Sequence, residues 1–511
     1  MAILAQDREQ PMRLSLKTVA TAVGVLTLVR LFVAAHTGLV ADEAYYTVWS
    51  EQLAPGYLDH PPVVAVMIAV GRLLAGNSPL GVRFVAVLMS LALSGLIWRT
   101  GEVLFDRRTA LIAVLWYNVA PVAGLDFITT PDPPSALFWM AGIWAVAEFM
   151  ASGQRAWWLV AGIATGLGLA SKYTLAFLPI GLLLFLIVDR ERRRWLLHWQ
   201  ICAAALLALL VFSPVIWWNA THGWASFLFQ GRRTSGAAGL DFFANLADFI
   251  VGQAGYMTPV MLAFAIAGAV LFLRAPRGPD RAGLALPLLT ALPALAYFCY
   301  HTLHAQVDAN WLIPLWPPLS LVAAYAVVAL MDRRPALGNL ASILQVGLGL
   351  AAMLLIYAQA FFNPLPLGPF DPTSQIRDWV AVDARLVDLA RAHQARWVAT
   401  SRDYGLTGEI ASYMLFAGSP LPVRQIDERP RWAFLPPLDP EALGWPALFV
   451  EPASNPTPPE RLFGRVEKLE TITRAGVTGY FANLAVYLVS EPRPAFFAGL
   501  NESFDAWLAR S

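Results

Sequence analysis

The sequence predicts an α-helical polytopic membrane protein with a C-terminal soluble α/β or α+β domain, and three observations point there. Of its 511 residues, 57% are hydrophobic and only 14% are charged, well below the roughly 25% charge of soluble proteins. Apolar windows long enough to cross a bilayer, about 20 residues each, recur along the first two thirds of the chain. Past Asn363-Pro364 the windows stop, and charge and proline become frequent. The composition makes the lipid bilayer a partner. With 36 basic against 35 acidic residues the net charge is +1, which excludes a nucleic-acid binder working by bulk charge.

The first window runs from Val19 to Val40, behind Arg8, Arg13 and Lys17, and ends at Asp42-Glu43 rather than at a small-residue cleavage site. It reads as a retained span with a cytoplasmic amino terminus. Further windows lie at 80–99, 109–126, 133–150, 156–171, 174–189, 199–217, 248–273, 283–300, 311–331 and 338–360, for a total of about eleven. The apolar run from Pro61 to Leu74 is short and follows Asp59-His60, which fits an interfacial helix in the first exterior loop.

Starting inside, the basic residues Arg99, Arg107, Arg108, Arg155, Arg190, Arg192, Arg193, Arg194, Arg274, Arg277, Arg281, Arg333 and Arg334 all fall in cytoplasmic loops, as the positive-inside rule requires. The opposite loops hold Asp42-Glu43, Asp59-His60, Asp126, Asp132, Lys172, the segment from His222 to Asp241 and the turn from His301 to Asn310. The expected division is a membrane part over 1–361 and an extracytoplasmic soluble part over 362–511. In the latter, strand-like runs at Trp397–Thr400, Ala447–Glu451 and Tyr480–Val489 alternate with helical patterns at Ile376–Ala392 and Leu406–Phe416. Cys202 and Cys299 both lie in apolar runs, which excludes a disulfide framework and a cysteine-rich zinc site.

The scarce exterior charges are the candidates for chemistry. Asp42 and Glu43 stand where a span meets the interface; lost hydration raises an acid's proton affinity and suits it to general-base work. The same two acids also fit the first turn of a helix. Asp132, in Thr130-Pro131-Asp132-Pro133-Pro134, reads by itself as a helix start. Lys172 is one of three lysines and lies against the charge trend, where an ammonium either snorkels or holds a lipid phosphate. Arg232-Arg233, in a Gly-flanked loop, offers a second phosphate contact or a solvated pair. The turn from His301 through His304, Gln306 and Asp308 to Asn310 concentrates hydrogen-bonding groups that suit a sugar or a phosphate, or that cap a helix. Its two histidines lack a third metal ligand at defined spacing.

Taken together, these motifs resemble the polytopic type-C glycosyltransferases that use a polyprenyl-phosphate sugar donor, in the branch of the protein O-mannosyltransferases and the lipid A aminoarabinose transferase. The resemblance rests on Asp42-Glu43, Asp59-His60-Pro61-Pro62, Gly81-Val82-Arg83-Phe84 and Thr130-Pro131-Asp132-Pro133, and covers about Leu14 to Ala360. It implies that Asp42 is the catalytic base with Glu43 as a supporting group, and that Asp132 matches the second-loop aspartate. Asp59-His60 resembles the family's acidic-basic pair, with histidine where the aminoarabinose transferases carry lysine. Lys172 resembles a lysine near the donor phosphate, and Gln306 to Asn310 stands in the place of a donor-binding loop.

The expected reaction is inverting transfer of a sugar from a polyprenyl (undecaprenyl-type) phosphate to an acceptor hydroxyl on a glycan, lipid or protein, lipopolysaccharide or lipid A among them, at a bacterial-type inner membrane. Lys172, Arg232 or Arg233, and His60 would contact the leaving phosphate. The sequence specifies no cofactor; a divalent metal near Asp42, Asp59 and the histidines is left open. The competing expectation is a transporter or flippase of lipid-linked sugars, but the ionisable groups sit in exterior loops rather than mid-span.

Overall fold

The computed structural model describes residues 14–233, 242–276, 278–454, 456 and 458–510. Arg277, in one of the basic loops, lies outside them. Helix α1 (Leu16–His36) starts at Ser15, whose hydroxyl accepts from Thr18 N at 3.0 Å, and is followed by α2 (Ala41–Glu51) and α3 (Val63–Ala75). The short apolar run after Asp59-His60 is thus a helix. Next come α4 (Pro79–Leu104), α5 (Arg107–Val119), α6 (Pro121–Leu125), α7 (Asp132–Ser152), α8 (Trp157–Leu169), α9 (Phe177–Val188), α10 (Arg190–Arg193) and α11 (Trp199–Thr221). Helices α12 (Ala225–Arg233), α13 (Phe242–Met257), α14 (Pro259–Arg274), α15 (Pro279–His301), α16 (Trp316–Arg333) and α17 (Pro335–Phe362) complete the helical part.

Among the described residues seven helices are long and apolar enough to cross a membrane, or nine if each of two bent pairs is one span. The eleven sequence windows divide accordingly. Seven fall on the long helices, two on the bent pairs, and two on α5 and α8, which have 13 residues each, about 20 Å of helix. Chain continuity still makes α5 and α8 return paths: each leads back from the far end of α4 or α7 to residues that meet the start of those helices. The span Ala309–Arg333, which ends in α16, is the central element, with 89% of its apolar window buried against 28% for α11 and 22% for α17.

The window at 248–273 is not one straight helix. Helices α13 and α14 meet at 105° because Pro259 denies helical geometry to the residue before it, and Thr258 takes a φ of +76° with its hydroxyl on the Gln345 side chain. The segment read as a Gly-flanked loop around Arg232-Arg233 is also different, since both residues close α12.

The remainder of the chain folds around a five-stranded mixed sheet. It contains α18 (Trp379–Ala392), β1 (Val398–Thr400), α19 (Tyr404–Phe416), β2 (Val423–Gln425), α20 (Pro440–Leu443), β3 (Ala447–Pro452), β4 (Phe463–Thr473), β5 (Asn483–Pro492), α21 (Pro494–Leu500) and α22 (Phe504–Arg510). Strand order is β2-β1-β3-β5-β4, parallel from β2 to β3 and antiparallel beyond. Alternation along β3 sends Leu448 and Val450 to the side covered by α18 and α19, and Ala447 and Phe449 to the side covered by α21.

Two contacts fix how this part meets the helices. Gly405 and Gly408 let α19 lie directly on α2, since a Cβ on Gly408 would stand 2.6 Å from Tyr45 N and one on Gly405 would stand 2.9 Å from Ala41 Cβ. Ser412 donates to the Ala44 carbonyl at 2.8 Å, and the Tyr413 hydroxyl accepts from Leu39 N at 3.1 Å.

Beneath α2, Glu43 is completely buried and accepts from Arg83 Nε at 2.8 Å, Arg83 Nη2 at 2.5 Å, Thr129 N at 2.8 Å and Val40 N at 3.1 Å. Arg83 spends its other donors on Thr37 and Gly38 at the end of α1. Removing one partner of such a pair strands a buried charge, which costs about 3–5 kcal/mol. Glu43→Gln and Arg83→Gln are therefore each expected to lower the midpoint of thermal unfolding in detergent by several degrees or more; scanning fluorimetry showing either variant as stable as wild type would contradict the assignment.

Candidate active site

A cavity of about 160 Å³ opens at the end of the helices where α2, the turn before Pro61, the start of α7, the turn after α8 and residues 308–311 converge; Tyr404 and Arg431 close it from the sheet-containing part. Asp42, Asp59, His60, Asp132, Lys172, Asp308 and Asn310 line it, so seven sequence candidates meet in one place. Each arrives at the end of a regular element. Asp42 is the second residue of α2 and Asp132 the first of α7, positions where the helix dipole favours a carboxylate.

Asp132 accepts from Lys172 Nζ at 2.5 Å and from Asn310 Nδ2 at 3.2 Å, which ties three segments to one carboxylate. Both partners of the Asp132–Lys172 pair are buried. Asp59 is paired with Arg431, and its other oxygen lies 3.0 Å from the Tyr45 hydroxyl. The Arg431 guanidinium lies 4.6 Å from the centroid of the Tyr404 ring. Asp42 accepts a hydrogen bond from the Tyr404 hydroxyl at 2.9 Å. Burial raises the Asp42 carboxyl above the ordinary aspartate range, the nearby charge of Asp59 adds to this, and the Tyr404 hydrogen bond works the other way.

Several expectations need correction. Glu43 is not a neighbour of Asp42 in the cavity; all its acceptor directions are taken by Arg83, Thr129 and Val40, so it holds the scaffold. Its bond to Val40 N also makes it the group that caps α2, which leaves Asp42 to face the cavity. Arg232 does not line the site and donates to the Leu508 carbonyl at 2.6 Å, bridging α12 to α22. Arg233 ends α12, and its side chain lies outside the described residues. His304 packs edge-on against Tyr300 with ring centroids 5.0 Å apart, and Gln306 is exposed; neither reaches the cavity. Asp126 is buried between Ser90 and Tyr117 rather than placed in the open loop. Among the described residues no three His, Cys, Asp or Glu side chains converge on a metal position; Asp42 and Asp59 face Tyr404 and Arg431 instead.

Tyr45, Tyr46, Thr130, Trp311, Tyr404 and Arg431 also line the cavity and were missed by sequence reasoning. For Tyr404 there was a signal, the small residues Gly408 and Ser412 four apart on one face of a predicted helix, which mark a close contact with another helix.

Superposition on solved structures decides the architecture. ArnT from Cupriavidus metallidurans bound to undecaprenyl phosphate matches with a TM-score of 0.65 over 93% of this chain and 98% of that one, at 16% identity. The fold is that of ArnT. A sequence model of the family described as dolichyl-phosphate-mannose-protein mannosyltransferase matches residues 59–218, from Asp59 past Asp132 and Lys172. The chain is 26% identical over 309 residues to the lipopolysaccharide core galacturonosyltransferase RgtA of Rhizobium johnstonii, covering 57% of this chain and 60% of that protein. It is 27% identical over 327 residues to the undecaprenyl phosphate-α-4-amino-4-deoxy-L-arabinose arabinosyl transferase 2 of Pseudomonas fluorescens, covering 59% and 56%. The match thus spans about 60% of the length of these curated relatives.

The geometry around Asp42 makes a prediction independent of any substrate. Infrared difference titration, with Asp42→Asn to assign the band, should place the Asp42 midpoint above the ordinary aspartate range. Tyr404→Phe should move it higher still, because the lost hydrogen bond favoured the charged carboxylate. A midpoint that Tyr404→Phe leaves in place would dissociate Tyr404 from Asp42.

Proposed function

We propose that this protein is an inverting glycosyltransferase that moves a sugar from a polyprenyl phosphate to an acceptor hydroxyl on the lipopolysaccharide of a bacterial envelope. The observation that carries the reading is a carboxylate, Asp42, facing a cavity whose other wall presents Lys172, on a fold shared with a protein solved with undecaprenyl phosphate. The relatives act, by their names, on lipopolysaccharide core and from an undecaprenyl phosphate aminoarabinose donor. These names support the donor and acceptor classes for this chain.

In this mechanism Asp42 removes the acceptor hydroxyl proton while that oxygen forms a bond to the anomeric carbon. The bond from the anomeric carbon to the phosphate oxygen breaks on the opposite face, and its electron pair leaves with the polyprenyl phosphate. The leaving group is already a weak base, so it needs cations more than an acid. Lys172 has three N–H donors, one of which goes to Asp132; another meets the phosphate. Arg431, held against Asp59, adds a second positive group, and Asp308, Asn310 and His60 hold the sugar hydroxyls.

The same reading sets the topology. The amino terminus and the basic turns lie in the cytoplasm of an inner membrane, residues 1–361 form the membrane part, and residues 362–511 stand outside over the cavity. The positive-inside distribution of arginine supports this orientation.

The test is transfer of labelled sugar from undecaprenyl phosphate to lipid A or core saccharide in detergent, where no transmembrane gradient exists. Asp42→Asn should lower turnover by roughly 10²- to 10⁴-fold, the contribution of a general base, while donor binding persists, and the product should carry the inverted anomer by NMR. Wild-type turnover in folded Asp42→Asn would remove Asp42 as the base. Movement of the lipid-linked sugar across liposomes without bond cleavage would make the protein a transporter instead.

A further inference from the structure

A second cavity, of about 700 Å³, opens at the opposite end of the helices. Its place follows from chain direction: α7 starts at Asp132 in the candidate active site and its last turn brings Met150 to this cavity, about 30 Å away along the helix. Helix α15 starts here at Pro279 and ends at His301, shortly before Asp308.

The lining joins two kinds of surface. Arg190, Arg192, Arg193, Arg194 and Arg281 bring five positive charges against the two negative charges of Asp189 and Glu191. Beside them run apolar walls from Phe272, Leu289 and Trp195. Two of the arginines are fixed in advance: Arg192 is buried with its guanidinium 4.2 Å from the centroid of the Phe185 ring, and Arg281 stacks on Phe272 while donating to the Phe272 and Ala275 carbonyls. The start of α15 also faces the cavity, and its cap residue, Gly278, offers no side chain to the free N–H groups; the one acid in that turn, Asp280, accepts from Tyr325. A sharp bend of 114° separates α9 from the segment Arg190 to Leu197, whose arginines line the cavity.

We propose that this cavity is a binding site for a phosphate-bearing anion, supplied by the headgroup of an acidic membrane lipid. The phosphate sits among Arg192, Arg281 and the start of α15, and the glyceryl and acyl portion lies along Phe272 and Leu289. A soluble phosphate would satisfy only the first half of this surface. Basic pockets between membrane helices take lipid phosphates in this manner. The site is separate from the proposed transfer reaction and stands whether or not that reaction is confirmed.

The experiment uses the full-length protein in phosphatidylcholine nanodiscs, with and without cardiolipin, read by native mass spectrometry and by titration with fluorescent cardiolipin; a parallel arm titrates inorganic pyrophosphate in detergent. Wild type should retain cardiolipin, and Arg192→Gln/Arg281→Gln should bind it on the order of tenfold more weakly. Arg190→Gln/Arg194→Gln, at exposed lining positions, should also weaken binding and serves if the first variant fails to fold. Arg333→Gln/Arg334→Gln, a basic turn outside the cavity, should leave it unchanged. Pyrophosphate binding with the same dependence on the lining arginines, and no cardiolipin bound, would keep the phosphate site but replace lipid by a soluble ligand. Equal affinity in all variants, or an equal loss in Arg333→Gln/Arg334→Gln, would overturn the site.

Discussion

The buried ion pair between Glu43 and Arg83 is the constraint on which the site depends. Its four hydrogen bonds at the carboxylate draw together the start of α2, the start of α4 and the loop that leads into α7, and the other Arg83 donors add the end of α1. A charge pair without water is stable only when its remaining lone pairs and protons are satisfied, and here they are met mostly by backbone groups, which cannot move without moving the elements that carry them. Asp42 is adjacent to Glu43 in sequence and Asp132 stands three residues beyond Thr129. Fixing Glu43 and Thr129 therefore fixes the two carboxylates across the cavity from each other.

The electrostatics of the cavity follow from how its charges are spent. Asp59 is matched by Arg431 and Asp132 by Lys172, so the strong ions are consumed in pairs. Of Asp42, Asp59 and Asp132, only Asp42 is held by a neutral hydroxyl without a paired cation, and burial pushes it toward its protonated form. A carboxylate neutralised by a neighbouring cation is a poor proton acceptor, whereas one held only by a phenol keeps its basicity. Paired charges organise the cavity, and on the proposed function Asp42 is the carboxylate placed for proton transfer.

Much of this was legible in the sequence because it is local or periodic. Apolar windows located the helices, and Asp42, Asp59, Asp132 and Lys172 stood out because charge is rare on that side. Glu43 was misassigned because adjacency in sequence says nothing about direction on a helix; successive residues point about 100° apart. The broken helix at Thr258 was signalled by Pro259, but hydropathy averages over such a residue. Arg232 drew attention by charge alone, and its partner, the Leu508 carbonyl, is a backbone group that leaves no mark on composition. Tyr404 and Arg431 lie more than 350 residues from the acids they touch, and no spacing rule reaches that far.

The close packing of α19 on α2 has a consequence for biosynthesis. Asp42 is made early, yet Tyr404 and Arg431 emerge from the ribosome more than 350 residues later. While the helices are being inserted, the cavity has no phenol on Asp42 and no guanidinium on Asp59. The acids are completed only when Gly405 and Gly408 seat on the first turns of α2. A chain truncated before that point would carry α1 to α17 with Asp42 lacking its Tyr404 hydrogen bond and Asp59 lacking its Arg431 pair.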